Sequence, residues 1–400
     1  MVIRPARSHE YETVIDLVAR AFKPGDAAVG IAAATIHSDP RFRPEHLRVA
    51  ERDGRLAGMV NLIDRIVRIG SAEVRCAIVA PLATAPDHQG SGVGSALMRD
   101  ALEWARDNGF LLSMLWGHPW LYPRYGYAPG LKSYRVRLPA TTAPFGDSAY
   151  TLRPYGPGDA PALAQVYHAA TATTSLAERR GEQPWEWRSP APEVFTEVAV
   201  DPAGAIRGYM RVALRDDHLN VGEIMALDRG AARALIDRLI HLARERDAQE
   251  IVIVAPPDHL VSRVAWAHGA QVCIGSGGGA GMVRVLDFPA LLRAIEPELR
   301  RRVSHSEWMC RQGEVRIETP VGRATVRVSH GDIAIDDRRV THAITLPFHA
   351  LGPLVTGYQG IEDLQAMTGV YIDGHDTLRL IEVLFPAGNP HWSFAAYYGE

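Results

Sequence analysis

The stretch 80-APLATAPDHQGSGVGSALMRDALEWARDNG-109 passes an apolar run to a helix through a turn that carries Gly90, Gly92 and Gly94. The run stops at Pro86. From Val93 on, Val93, Ala96, Leu97, Ala101, Trp104 and Ala105 recur on one helical face, opposite Ser95, Arg99, Asp100, Glu103 and Arg106. Gly109 stands where a C-terminal cap belongs. The first turn of a helix has N–H groups without partners and a partial positive charge. Glycines there remove the side chains that would hold a bulky anion away, so Gln89-x-x-Gly92-x-Gly94 is suited to cradle a pyrophosphate. The turn has no lysine for a P-loop, and its spacing is not the G-x-G-x-x-G of dinucleotide folds. Taken alone, it also suits a plain tight connection.

Composition limits what the turn can serve. The chain has 400 residues, room for two or three domains, and its 47% hydrophobic and 22% charged residues suit globular cores. A net charge of −3 excludes reading nucleic acid or a membrane as partner from bulk charge. No apolar run approaches the ~18 residues of a membrane span. The start, MVIRPARSHEYE, lacks the apolar core of a signal peptide. Cys76, Cys273 and Cys310 form no C-x-x-C pair, so neither a disulfide framework nor a zinc site is expected, and a reducing cytoplasm is the expected compartment. The histidines include no H-E-x-x-H and no cluster with cysteine, so no metal is predicted. Lysine occurs only at Lys23 and Lys132, which reads as an arginine- and alanine-rich codon bias.

Two segments look alike. IRPARSHEYETVIDLVARAF from Ile3 and LRPYGPGDAPALAQVYHAAT from Leu152 each give a short strand ending in Arg-Pro, a turn and an amphipathic helix. Strands at 48–50, 56–69 and 74–84, the glycine turn, a helix and FLLSMLW follow the first start. EVFTEVAV, IRGYMRVAL, NVGEIMAL, a helix and EIVIVAP follow the second. The pattern predicts a duplicated α/β unit, 1–145 and 146–284. From 285 to 400 the texture is α+β, with GEVRIET, GRATVRVSHGDIAI and TLRLIEVLF read as strands and FPALLRAIEPELRRRV and GIEDLQAMTG as helices.

The order of the first unit, ending in Q-x-x-G-x-G, helix, strand and an aromatic loop, resembles the GNAT superfamily of acyl-CoA-dependent N-acyltransferases. The resemblance implies that Leu82, Ala83 and Thr84 contact the acyl-pantetheine arm of acetyl-CoA. It likewise implies that Gln89, Gly90, Ser91, Gly92, Val93, Gly94 and Ser95 hold its pyrophosphate; Gly117 and His118, next to the acid loop, are candidates to line the CoA channel. Many members carry a base glutamate on the strand before the turn, but no Asp or Glu occurs here between Glu73 and Asp87. A phenol, with its pKa near 10, is protonated at neutral pH and can donate to a thiolate, so Tyr122, Tyr125 and Tyr127 in HPWLYPRYGYAP are acid candidates. Tyr125 and Tyr127 are read as loop packing, and the choice of Tyr122 rests on the closer resemblance that follows.

The whole chain, with LYPRYGY at 121–127 as its most specific piece, resembles the enhanced intracellular survival (Eis) family of N-acetyltransferases. That resemblance implies tandem GNAT-type mixed-sheet domains followed by a sterol-carrier-like α+β domain. It also implies Tyr122 as general acid, the C-terminal carboxylate as base, and a homo-oligomer, commonly a hexamer. The tail, NPHWSFAAYYGE, departs from the family's aromatic end, so Glu400 serves through its terminal carboxylate or its side chain, or misses the site.

The second unit has DRGAARALIDRL in place of the motif, and Asp228 would repel a pyrophosphate, so this copy is expected to be scaffold. Asp26 either attracts a cationic amine acceptor or starts a helix. His118 relays protons or is a surface group. The acceptor is expected to be a polyamine- or aminoglycoside-like amine, or a lysine side chain. The rival readings are a lipid-binding protein acting through ITLPFHALGPLVTGY in the last unit, or a transferase of longer acyl groups.

Overall fold

The computed structural model describes residues 1–187, 194–215, 217–275, 281–372 and 374–392. They form two compact units, Met1–Gly130 with Gly278–Gly388, and Leu131–Gly277 with the described residues from Asn389.

The first unit begins with β1 (Val2–Pro5), α1 (Tyr11–Ala21), α2 (Ala27–Ser38), β2 (Leu47–Arg52), β3 (Arg55–Ile69), β4 (Ala72–Thr84), α3 (Val93–Asp107), β5 (Leu112–Trp116) and β6 (Ala128–Pro129). β1 to β4 pair antiparallel in that order, and β5 joins β4 in parallel. Alternation along the strands sends side chains to two faces. Val60, Leu62 and Val79 meet Val93, Leu97 and Ala101 of α3 on one face. On the other, Val49, Met59 and Ala83 meet Val14, Leu17 and Val18 of α1 and Ala28 and Ala32 of α2. At Gly58 a Cβ would stand 2.8 Å from Val93 Cγ1, so α3 lies directly on the β3 backbone.

The second unit has β7 (Ser133–Pro139), β8 (Thr151–Pro154), α4 (Ala160–Ala170), β9 (Ala177–Glu178), β10 (Val194–Val200), β11 (Ile206–Leu214), β12 (His218–Ala226), α5 (Arg229–Glu245), β13 (Glu250–Ile253), α6 (Leu260–Ala267) and β14 (Gln271–Gly275). Its sheet runs β14-β7-β13-β12-β11-β10-β8. The first unit resumes with β15 (Gly281–Val285), α7 (Phe288–Ser304), β16 (Gln312–Thr319), β17 (Gly322–Ser329), β18 (Asp332–Asp336), β19 (Ala343–Thr345), α8 (Phe348–Thr356), α9 (Ile361–Thr368) and α10 (His375–Leu384). β15 pairs β5 on one side and β6 on the other, so the first sheet runs β1-β2-β3-β4-β5-β15-β6. The small sheet runs β18-β17-β16-β19.

Both large sheets therefore repeat one order, as the duplication requires. The strands cross the boundaries at 145 and 284, however. β7, inside the first stretch, completes the second sheet, and β15 straddles 284 and sits in the first sheet, covering the β5 edge that would otherwise stay unpaired. TLRLIEVLF was expected as a strand and is helix α10 instead. Thr377, Leu380, Ile381 and Leu384 are its buried residues, at spacings of three and four that short apolar runs conceal. Among the described residues no helix is long and apolar enough to cross a membrane.

Candidate active site

A cleft forms where two paired strands part. β4 and β5 pair only over Cys76–Ile78 and Leu112–Met114, and β4 then continues to Thr84. The divergence has a local cause. Between Val60↔Leu82 and Leu62↔Val79 the register shifts, so Ala80 and Pro81 of β4 face the single residue Asn61. Such a bulge bends its strand. Asn61 is fully buried, and its Nδ2 donates to the Ala80 carbonyl at 2.9 Å, which holds the bulge.

At the end of β4 the chain turns into α3. Gly90 and Gly92 have φ of 75° and 84°, conformations that glycine adopts without strain. A Cβ on either would meet nothing within 4 Å, so the space over the turn is open. Gly92 is the N-cap and offers no capping side chain. Among the described residues the N–H groups of Gly90, Gly92, Val93, Gly94 and Ser95 have no acceptor. Ala96 N–H is the first bonded back, to Gly92 O at 3.0 Å. Free N–H groups, positive helix potential and bare glycines fit a diphosphate.

The second unit repeats the geometry and fills it. β12 and β13 also part, after Val221 and Ile253. At the head of α5, Asp228 Oδ1 accepts from Ala231 N–H at 2.9 Å and from the Tyr150 hydroxyl at 2.8 Å, and Arg207 Nε reaches Oδ2 at 3.2 Å. Burial would raise the pKa of this carboxyl, but the Ala231 N–H, Tyr150 and Arg207 outweigh it and hold the pKa below the ordinary value. An internal anion thus occupies the place that α3 leaves open.

The acid candidate sits beside the cleft. β5 ends at Trp116, and the chain reaches the 3-10 turn Tyr122–Tyr125 through Gly117 and His118. The Tyr122 ring lies on Gly117, where a Cβ would stand 2.3 Å from Cε2. Burial, with a smaller contribution from Tyr125, raises the Tyr122 pKa, and its hydroxyl has no hydrogen-bond partner among the described residues. The phenol is therefore protonated and free to donate. The other two tyrosines are engaged. Tyr125 donates to Ser95 Oγ at 2.8 Å, and the buried Tyr127 hydroxyl lies 2.6 Å from Ser113 Oγ.

The remaining expected residues fall as follows. Leu82 packs on the α3 side of the sheet and Ala83 on the opposite side. The Thr84 hydroxyl oxygen would stand 3.2 Å from a Cβ on Gly94. Gln89 and Ser91 are exposed in the turn, and Ser91 Oγ donates to His88 O at 2.6 Å. His118 stacks on the exposed Trp120 at 5.1 Å. Asp26 caps α2 by accepting from Ala28 N–H at 2.9 Å. Glu400 lies outside the described residues. Sequence reasoning missed Asn61, the Tyr125–Ser95 bond and Arg284, whose guanidinium donates to the Tyr125 carbonyl. Only Gly58, a glycine inside a strand, left a readable trace of close approach.

Comparison with known proteins bears on the fold. Residues 2–130 match the family model for an acetyltransferase (GNAT) domain. An uncharacterized N-acetyltransferase of Escherichia coli K12, YjhQ, is 34% identical over 109 residues, 26% of this chain. The chain spans 60% of that relative's length. Over 98% of this chain, the crystal structure of a GCN5-related N-acetyltransferase from Kribbella flavida superposes with a TM-score of 0.77 at 22% identity, covering 97% of that chain. Eis1 from Mycobacterium abscessus superposes over 98% of this chain and 99% of its own with a TM-score of 0.70 at 19% identity. The chain thus has a tandem GNAT-like fold of mixed sheets and helices, and its N-terminal residues 2–130 match the GNAT acetyltransferase domain.

Proposed function

We propose that the protein is an acetyl-CoA-dependent N-acetyltransferase with one working site, in the first unit. The observation that carries this reading is the contrast between two related helices: α3 begins on bare, unpaired N–H groups, whereas α5 begins on the Asp228 carboxylate. Gln89 to Ser95 would hold the diphosphate, and the free edge of β4 over Leu82–Thr84 would lie along the pantetheine arm. Gly117 and His118 would line the channel. The coenzyme supplies an activated acetyl thioester when bound.

The chain's own groups position an amine against that carbonyl in the cleft. As the carbon–nitrogen bond forms and the carbon–sulfur bond breaks, the Tyr122 hydroxyl gives its proton to the departing sulfur. The amine's proton must leave to a base, and β4 offers no carboxylate after Glu73, the second residue of the strand. The C-terminal carboxylate of Glu400 is the group the Eis resemblance supplies, with Asp26 near a cationic acceptor. The acceptor is a primary amine of the polyamine, aminoglycoside or lysine kind, and the same resemblance implies a homo-oligomer.

Calorimetry with coenzyme A and a thiol-release screen over an amine library test the reading. CoA binding that Gly92→Asp abolishes supports it, and absence of binding by the wild type removes it. Donor kinetics across acyl chain lengths separate acetyl from longer groups.

A further inference from the structure

The acid turn is held from a distant part of the chain. Gly126, the left-handed residue that ends the Tyr122–Tyr125 turn at φ 79°, lies under the Phe348 ring. A Cβ there would stand 2.9–3.1 Å from three ring atoms. Phe348 is the first residue of α8, which rests on β15 and β6. Gly352, one turn on, approaches so closely that a Cβ would be 2.9 Å from Val283 O.

Arg284 of β15 has its guanidinium carbon 5.1 Å over the Phe348 ring and donates through Nη1 to the Tyr125 carbonyl. Its Nε is buried without a partner among the described residues. The guanidinium is thus held by one carbonyl and one aromatic face. Tyr125 in turn donates its hydroxyl to Ser95 Oγ in the first turn of α3. One run of contacts therefore joins α8, the acid turn and the phosphate turn.

We infer that helix α8 sets the Tyr122 turn in register with the phosphate turn, with Phe348 and Arg284 as positioning residues. The inference rests on reading Tyr122 as the acid. Phe348 meets Gly126 and Arg284 meets the Tyr125 carbonyl, so both bear on the turn and not on the Tyr122 hydroxyl. Their effect is to fix where the phenol points, and a misplacement of about 1 Å can cost on the order of a hundredfold in rate.

The test uses the full-length protein and compares Phe348→Ala, Phe348→Tyr, Phe348→Leu and Arg284→Gln with wild type. Phe348→Ala and Arg284→Gln should lower kcat by about ten- to a hundredfold. KM for acetyl-CoA and the calorimetric Kd for coenzyme A should stay within about twofold. Phe348→Tyr should restore most of the rate. Amide exchange should rise over residues 118–127 in Phe348→Ala while β3 and β4 stay protected. Should Phe348→Ala not fold, Phe348→Leu is read the same way, with a smaller loss.

Wild-type kcat and unchanged loop exchange in a folded Phe348 variant overturn the inference. So does a parallel loss of coenzyme affinity that Phe348→Tyr fails to rescue, because that is general damage. If the wild type binds no coenzyme and acetylates nothing, the functional reading falls. The exchange measurement then still decides whether α8 holds the turn.

Discussion

Three tyrosines within six residues have three different fates, and hydrogen bonding separates them. Tyr127 is spent on Ser113 and Tyr125 on Ser95, while the Tyr122 hydroxyl has no partner among the described residues and burial keeps it protonated. Tyr122→Phe removes the donor and leaves the ring on Gly117. We expect kcat to drop by about 10²–10⁴-fold with coenzyme affinity unchanged, read by steady-state kinetics and calorimetry. Because its pKa is raised, the phenol stays protonated into alkaline solution. The alkaline limb of the wild-type kcat profile should therefore lie above the ordinary tyrosine value of about 10, and an earlier fall would remove Tyr122 as the acid. Asn61 acts through the backbone. Asn61→Ala leaves the Ala80 carbonyl of the bulge without its donor, at a cost of about 1–3 kcal/mol by denaturant melt.

At the scale of elements, two helices in corresponding places of the two large sheets show what one side chain decides. Asp228 satisfies the head of α5, and Gly92 leaves the head of α3 open. Asp228→Ala should cost about 0.5–2 kcal/mol in stability and leave acetyl transfer intact. A variant that lost transfer but not stability would show that the second unit takes part in the chemistry. Helix α10 carries a different lesson. TLRLIEVLF alternates well enough to pass for a strand, and only its burial at 377, 380, 381 and 384 reveals the helical stripe. Nine residues offer too few repeats for periodicity to separate the two.

Across the molecule, one buried carboxylate ties remote segments. Glu298 of α7 accepts from Ser71 N–H at 3.1 Å and from Ser71 Oγ at 2.9 Å, at the turn between β3 and β4, and from Arg302 Nε at 2.8 Å and Arg301 Nη2 at 2.7 Å. Burial would raise its pKa, yet Arg301, the Ser71 N–H and Arg302 bring it down from 4.5 to about 2. A depressed carboxylate stabilises the fold fully above its unfolded value and loses that contribution as pH falls toward its folded value. Stability should therefore drop between about pH 4.5 and 2, and Glu298→Gln should flatten that limb in acid melts while lowering stability at pH 7.

In the second unit, burial first and His259 second lower the His391 pKa to about 3. A histidine buried neutral stabilises above its unfolded value near 6.5. Melts should thus already begin to lose stability below about pH 6.5. Replacing His391 with Gln should remove that early slope, and an unchanged slope would assign it to other groups.

The glycine turn, the apolar face of α3, the tyrosine run and the repeated strand–helix starts were readable from residue order. Each is local, written in spacings of two to four residues that backbone geometry imposes on any chain. The tertiary structure alone decided which strand completes which sheet, because a short apolar strand such as β7 or β15 fits any open edge and carries no address. It alone showed the bulge at Ala80–Pro81, the freedom of the Tyr122 hydroxyl, and the support that Arg284 and Phe348 give the acid turn. Those contacts join residues far apart in sequence, and their energy comes from shape and partner geometry that no local spacing encodes.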